Sequence, residues 1–272
     1  MNELLQNPIV QSSALPFLAG LLAAAILFPL RLGGLAAAAG FAAAVVAIGN
    51  FALEPLTVTR KIVVIGGAAV LVGTLADLAF KPTRFTGIVL GAVFAGAALW
   101  VFSSLLGQKI PAEVAIVGAG LAGFTWWLVA ATVSLHYDMV RAGAAGLALG
   151  LGAGFAAVFG ASGLLGQYGM ALGAGSGAFV LLVMVLGGRV EAGASLTLTV
   201  SVLTALIASG AVLLARLHWY SLIALAMVPV LVRLPLPRGP TWTQAVVASA
   251  YGFVAAGGAL VVAWLASRGW KI

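Results

Sequence analysis

The residues here that could do chemistry are few, and each stands alone. Asp77 is the one carboxylate set inside an apolar run. An acid there is costly and by default marks a proton or cation path. Lys81 follows at i+4, the spacing of a helical ion pair, and Arg84 is in reach if the helix continues past Pro82. The expectation is therefore an interfacial Asp77–Lys81 pair, with ion coupling as the second reading. Asn50, late in another apolar run behind Gly49, could hydrogen-bond across helices or bind a solute. Gln167, beside Tyr168, would face a cavity if its connector dips into the bilayer, the way broken helices build transporter sites. Thr197, Ser201 and Thr204 recur at i, i+4 and i+7. Such a hydroxyl stripe could line a polar path, or bond back to carbonyls one turn earlier. These six residues are the transport-path candidates.

Enzyme chemistry finds no footing. No residue is assigned a catalytic role, because no nucleophile, base and orienting group fall at triad spacing. The two histidines, in His136-Tyr137-Asp138 and in Arg216-Leu-His218, lack the paired acids of a metal or haem site. No metal and no cofactor are expected. Gly118-x-Gly120-x-x-Gly123 matches the dinucleotide fingerprint as a string, but that fingerprint needs a strand before it, and here it lies in an apolar helix. Trp126-Trp127, just beyond, could stack on a lipid, a quinone or a neighbouring helix; packing is the default. Glu54 and Glu113 sit at run ends, where a carboxylate serves topology or the positive end of a helix dipole.

The elements that must position these groups follow from composition. The chain has 272 residues, 63% hydrophobic and 7% charged, with a mean hydropathy of +1.20. Soluble domains carry about 25% charged residues, and so few charges cannot cover a water-facing surface. The apolar runs are continuous rather than alternating, which excludes a transmembrane β-barrel. The class is an all-α polytopic bundle in a lipid bilayer. The net charge of +7 does not indicate nucleic acid, because its basic residues are scattered singly between apolar runs. There are no cysteines, so disulfides and thiolate metal sites are absent. The first residues lack a basic stretch and a cleavage site, so the first helix is expected to be retained. The Ala/Gly/Val-rich vocabulary suits a bacterial inner membrane.

A spanning helix needs about 20 apolar residues. Ten runs qualify or nearly so: 9–30, 35–53, 62–80, 86–106, 111–135, a pair filling 142–187, 194–215, a short 221–232 interrupted by Pro229, and 242–266. Nine to ten spans with short loops are expected, as one integral domain over 1–272. The pair divides near Ser162-Gly163 and carries Gly146, Gly150, Gly154 and Gly169, Gly173, Gly177. Glycine at four-residue spacing strips one helix face, the small-xxx-small mode of membrane packing. That pair is the expected tight centre. Orientation is weakly encoded, with seven basic residues on one side and six on the other. The two halves share no alignable repeat. In span count and size the chain resembles the drug/metabolite transporter superfamily. Two functions are consistent with this: a small permease or exporter of an apolar or zwitterionic solute, or a non-catalytic subunit that packs against other membrane subunits or against its own copies.

Overall fold

The computed structural model describes residues 7–49, 54, 56–79, 83–187, 192–215 and 217–268. Among them every regular element is a helix. Besides the single turn Ser103–Leu106, these are in chain order α1 (Val10–Leu30), α2 (Gly33–Ile48), α3 (Val58–Ala79), α4 (Arg84–Val101), α5 (Pro111–Val133), α6 (Met139–Phe159), α7 (Gly163–Leu186), α8 (Gly193–Leu214), α9 (Tyr220–Leu231) and α10 (Thr241–Ser267). Seven of them are long and apolar enough to cross a membrane, whereas α2, α4 and α9 are shorter. The expected nine to ten full spans thus become seven long helices and three short ones. Seven such helices make this a multi-pass membrane protein.

The ends follow local chemistry. Gly49 stops α2 at φ +74°, sending its N–H back to the Val46 carbonyl at 3.0 Å, a left-handed cap that glycine takes without strain. Thr83 opens α4 with a reciprocal Thr83/Thr86 capping box. Pro111 occupies the first turn of α5. The Asp138 side chain accepts from the Arg141 N–H at 3.0 Å and opens α6. α9 breaks at Met227, just before Pro229. Lys61 lies 4.7 Å from the Trp100 ring centroid and Arg268 lies 3.9 Å from that of Trp264. Such cation–aromatic pairs suit the headgroup level of a bilayer.

Burial ranks the helices. In the apolar window of α8, 89% of residues are buried inside the protein, against 17% for α1 and 28% for α3. α8 is therefore the axis, contacting α3, α5, α6 and α7. The α6–α7 hairpin forms the most extensive helix pair, and α10 lies along α6.

A second small-residue junction, not foreseen from sequence, ties α1 and α2 to α7. A Cβ on Gly175 would stand 2.7 Å from the Ala36 carbonyl and 3.2 Å from the Gly40 Cα. One on Gly20 would stand 2.9 Å from the Gly175 Cα. Three backbones meet where none has a side chain. Gly175→Val is expected to cost about 1–3 kcal/mol by forcing them apart. It should lower the melting temperature in detergent, while Gly257→Val, which faces open space, leaves it unchanged.

Candidate functional site

The carboxylate singled out from sequence performs a specific structural task. Asp77 Oδ1 accepts from the Ala194 N–H at 2.5 Å and Oδ2 from the Ser195 N–H at 2.8 Å. Both donors are orphan amides at the start of α8, where the positive end of the helix dipole favours an anion. The backbone is shaped for this. Gly193 sits at φ +67°, and a Cβ there would collide with the Asp77 carboxylate. Gly73, one turn before Asp77 on α3, lets the α8 start approach, its own Cβ position lying 2.8 Å from the Ala194 carbonyl. Both carboxylate oxygens thus accept from amides; Lys81, the partner expected from sequence, lies outside the described residues.

The hydroxyl stripe runs along the same α8. Thr197, Ser201 and Thr204 are fully buried. Thr197 donates to the Gly193 carbonyl at 3.0 Å and Ser201 to the Leu198 carbonyl at 3.1 Å. Thr199, off the stripe, donates to Ser195 at 2.6 Å. These bonds stay within the helix. The Ser195, Thr204 and Ser209 hydroxyls have no partner among the described residues. Neither of the two cavities described below is lined by any of these six hydroxyl residues. Asn50, the other expected wall of a central path, lies outside the described residues.

Gln167 is half-buried in the second turn of α7. The expected dipping connector is instead the short turn Gly160–Ser162, closed by Ala161 N–H bonding to the Val158 carbonyl at 2.9 Å. α7 is continuous, so no broken helix offers backbone groups at Gln167.

The glycine series faces as its spacing requires. A Cβ on Gly150 would overlap the Gly173 backbone, coming within 2.5 Å of its Cα. On Gly154 it would meet the Met170 amide at 2.5 Å, and on Gly169 the Gly154 Cα at 2.5 Å. Gly146 faces the Ser176 side chain, and Gly177 meets only the end of Leu147, at 3.3 Å.

Two open spaces flank the bundle. One, about 840 Å³, is an apolar groove between α1, α2 and α3, lined by residues such as Phe41, Val45, Val63 and Leu71. The other, about 580 Å³, lies between the α4–α5 hairpin, the start of α6 and the segment after α9. Arg141, Arg233, Asp138 and Ser134 line its polar side, and Ile88 and Trp126 its apolar side. Sequence reasoning placed its basic residues in loops and did not join them. Arg141 and Arg233 are far apart in the chain, and only the fold brings them to one cavity. Among the described residues no three His, Asp or Glu side chains gather as a metal site would require. His136 points Nδ1 at the Val133 carbonyl, 2.7 Å away.

Comparison with family models, with curated proteins and with solved structures returns no match. The fold and its apolar surface define the class, a multi-pass helical membrane protein, and the functional reading rests on this chain's own geometry.

Proposed function

We propose that this chain is a small permease or exporter, working as a bundle of nine or ten crossings in a bacterial cytoplasmic membrane. The observation that carries the reading is the buried helix α8 with three hydroxyls, Ser195, Thr204 and Ser209, that have no partner among the described residues. A buried polar group without a partner costs about 1–3 kcal/mol. Such groups persist where another state of the protein supplies the missing partner, water or solute. The packing supports the same reading. α2 lies on α7 and α3 on α8, while α1–α2 and α4–α5 pair as α6–α7 and α9–α10 do. A shift of five elements relates these pairs, as in transporters built from two halves. The relation is partial, since α1 also packs on α7 and α6 on α10 without equivalents of similar extent.

The test uses the absence of native cysteine. Single Thr197→Cys, Ser201→Cys and Thr204→Cys chains in proteoliposomes should react with a small membrane-impermeant thiol reagent within minutes. Leu206→Cys, equally buried but on another face of α8, should not. Absence of labelling at all three stripe positions overturns the permease reading.

One observation favours the alternative of a packing subunit. Gly67, Gly96, Gly120 and Gly123 have open space where a Cβ would stand, and bare glycine faces suit close approach by another helix. That reading expects an unlabelled stripe, and crosslinking through Gly120→Cys to a neighbouring chain.

A further inference from the structure

The cavity between the α4–α5 hairpin and the segment after α9 has its own chemistry, unrelated to α8. Two guanidiniums line it and one carboxylate answers them, so its wall carries a net +1 from Arg141, Arg233 and Asp138. Arg141 Nη1 lies 3.2 Å from Asp138 Oδ2, and its Nη2 donates to the Leu234 carbonyl at 3.3 Å. Its Nε is buried without a partner among the described residues, so the fork of donors on this side chain is incompletely used there. Arg233 Nη2 donates to the Ala131 carbonyl at 2.9 Å and to Ser134 Oγ at 2.6 Å, which fixes its guanidinium at the C-terminal end of α5. Opposite the charges the wall turns apolar. Ile88 and Trp126 are both substantially exposed. Trp126 is seated against Gly91, whose Cβ position lies 2.8 Å from the Trp126 carbonyl and 3.0 Å from its ring. Trp127 is anchored by its indole N–H on the Ala226 carbonyl at 3.1 Å.

Arginine forks match planar or tetrahedral oxyanions, and tryptophan frames the headgroup level of a bilayer. The volume of about 580 Å³ lies within the range of small-ligand sites, about 300–1,000 Å³. We infer that this cavity binds a singly charged anionic amphiphile, with its carboxylate or phosphodiester between Arg141 and Arg233 and its chain leaving past Trp126 and Ile88. The net +1 selects a monoanion over a dianionic phosphomonoester, which would leave a surplus negative charge at a low-dielectric boundary. Its test does not depend on the permease reading, because binding is read without flux.

The experiment is quenching of tryptophan fluorescence by dibrominated probes, with the full chain in nanodiscs of zwitterionic lipid. Dibromostearate supplies a free carboxylate, dibrominated phosphatidylglycerol a lipid phosphodiester, and dibrominated phosphatidylcholine the uncharged control. Saturable quenching is expected from at least one anionic probe, and which one responds identifies the source of the anion. The control should bind about tenfold more weakly, the equivalent of one charge-assisted contact. The quenched component should vanish in Trp126→Phe/Trp127→Phe. Arg141→Gln and Arg233→Gln should each weaken binding about tenfold, and Arg141→Lys, which keeps charge without the fork, by less. Because Arg233 also caps α5, Ile88→Trp serves as a variant that fills the cavity without touching a charge. It should block the anionic probe while the melting temperature stays unchanged. Equal quenching by all three probes, or quenching indifferent to both Arg141→Gln and Ile88→Trp, overturns the site.

Discussion

Gly150→Leu combined with Gly173→Leu is expected to leave no native bundle, and either change alone should remove the cooperative melt in detergent. The reason is what the added carbons would meet. On Gly173 a Cβ stands 2.7 Å from the Leu151 backbone nitrogen, and on Gly150 it overlaps the Gly173 backbone itself. A flexible side-chain end can swing aside, but a helical backbone cannot, so α6 and α7 must separate along their whole contact. Overpacking in soluble cores costs about 1–3 kcal/mol when neighbours can repack. Here they cannot, and the loss should reach or pass the top of that range. In lipid little else compensates, since hydrophobic attraction between helices is lost and close packing carries the association. The effect should fade along the hairpin. Gly177→Ala meets only the end of Leu147, at 3.3 Å, and should be nearly silent. Gly163→Leu, with open space at its Cβ, is the matched control. Size-exclusion profiles and thermal melts of the purified variants decide it. A double variant that melts as the parent does would remove the hairpin from the centre of the fold.

Asp77→Ala is the second large effect, expected to cost about 2 kcal/mol. It strips both acceptors from the first amides of α8 and removes an anion from the helix's positive end. Asp77→Asn keeps one acceptor and should lose about half as much. Gly193→Ala should match the alanine variant from the other side of the contact, because it adds left-handed strain and a collision with the carboxylate. Unfolding by titrated denaturing detergent reads all three. A neutral Asp77→Ala in that measurement, together with loss of ion-driven flux, would return the residue to the coupling role that its position inside an apolar run first suggested.

The contrast between these two sites shows what a sequence of this kind displays. The α6–α7 hairpin was legible because its signal is periodic and local. Glycine every fourth residue marks a face, and two such faces next to each other in the chain have one simple way to meet. Helix limits were legible for the same reason at Pro111 and Ser162-Gly163, but not at Gly49, which lay inside the expected run 35–53. The task of Asp77 was hidden, because its partners are backbone amides, which every residue has and no letter announces. The only trace was Gly193, readable as a turn but not as the seat of a particular carboxylate. The Gly20–Gly40–Gly175 junction was equally hidden, since it joins three helices that no short window contains. The Thr197–Ser201–Thr204 periodicity was real, but period alone does not say whether a hydroxyl faces a path or its own backbone. The connector before Gln167 was the hard part to read, because a weakly polar turn of three residues looks much like a re-entrant stretch. The shortness of α2 and α4 also escaped, since apolar letters continue beyond the last helical turn, whereas that of α9 was already readable from its length and Pro229.

Asp77 and its amide partner at position 194 stand 117 residues apart. A ribosome adding about 5–20 residues per second delivers the donor on the order of ten seconds after the acceptor. Throughout that interval the Asp77 carboxylate lacks the two amides it accepts from in the folded chain, and the cheapest place for it is the wet headgroup layer. The nascent first half is therefore tethered by its acid to one surface of the membrane until the eighth helix emerges. Assembly of this protein has a waiting step written into the distance between two residues.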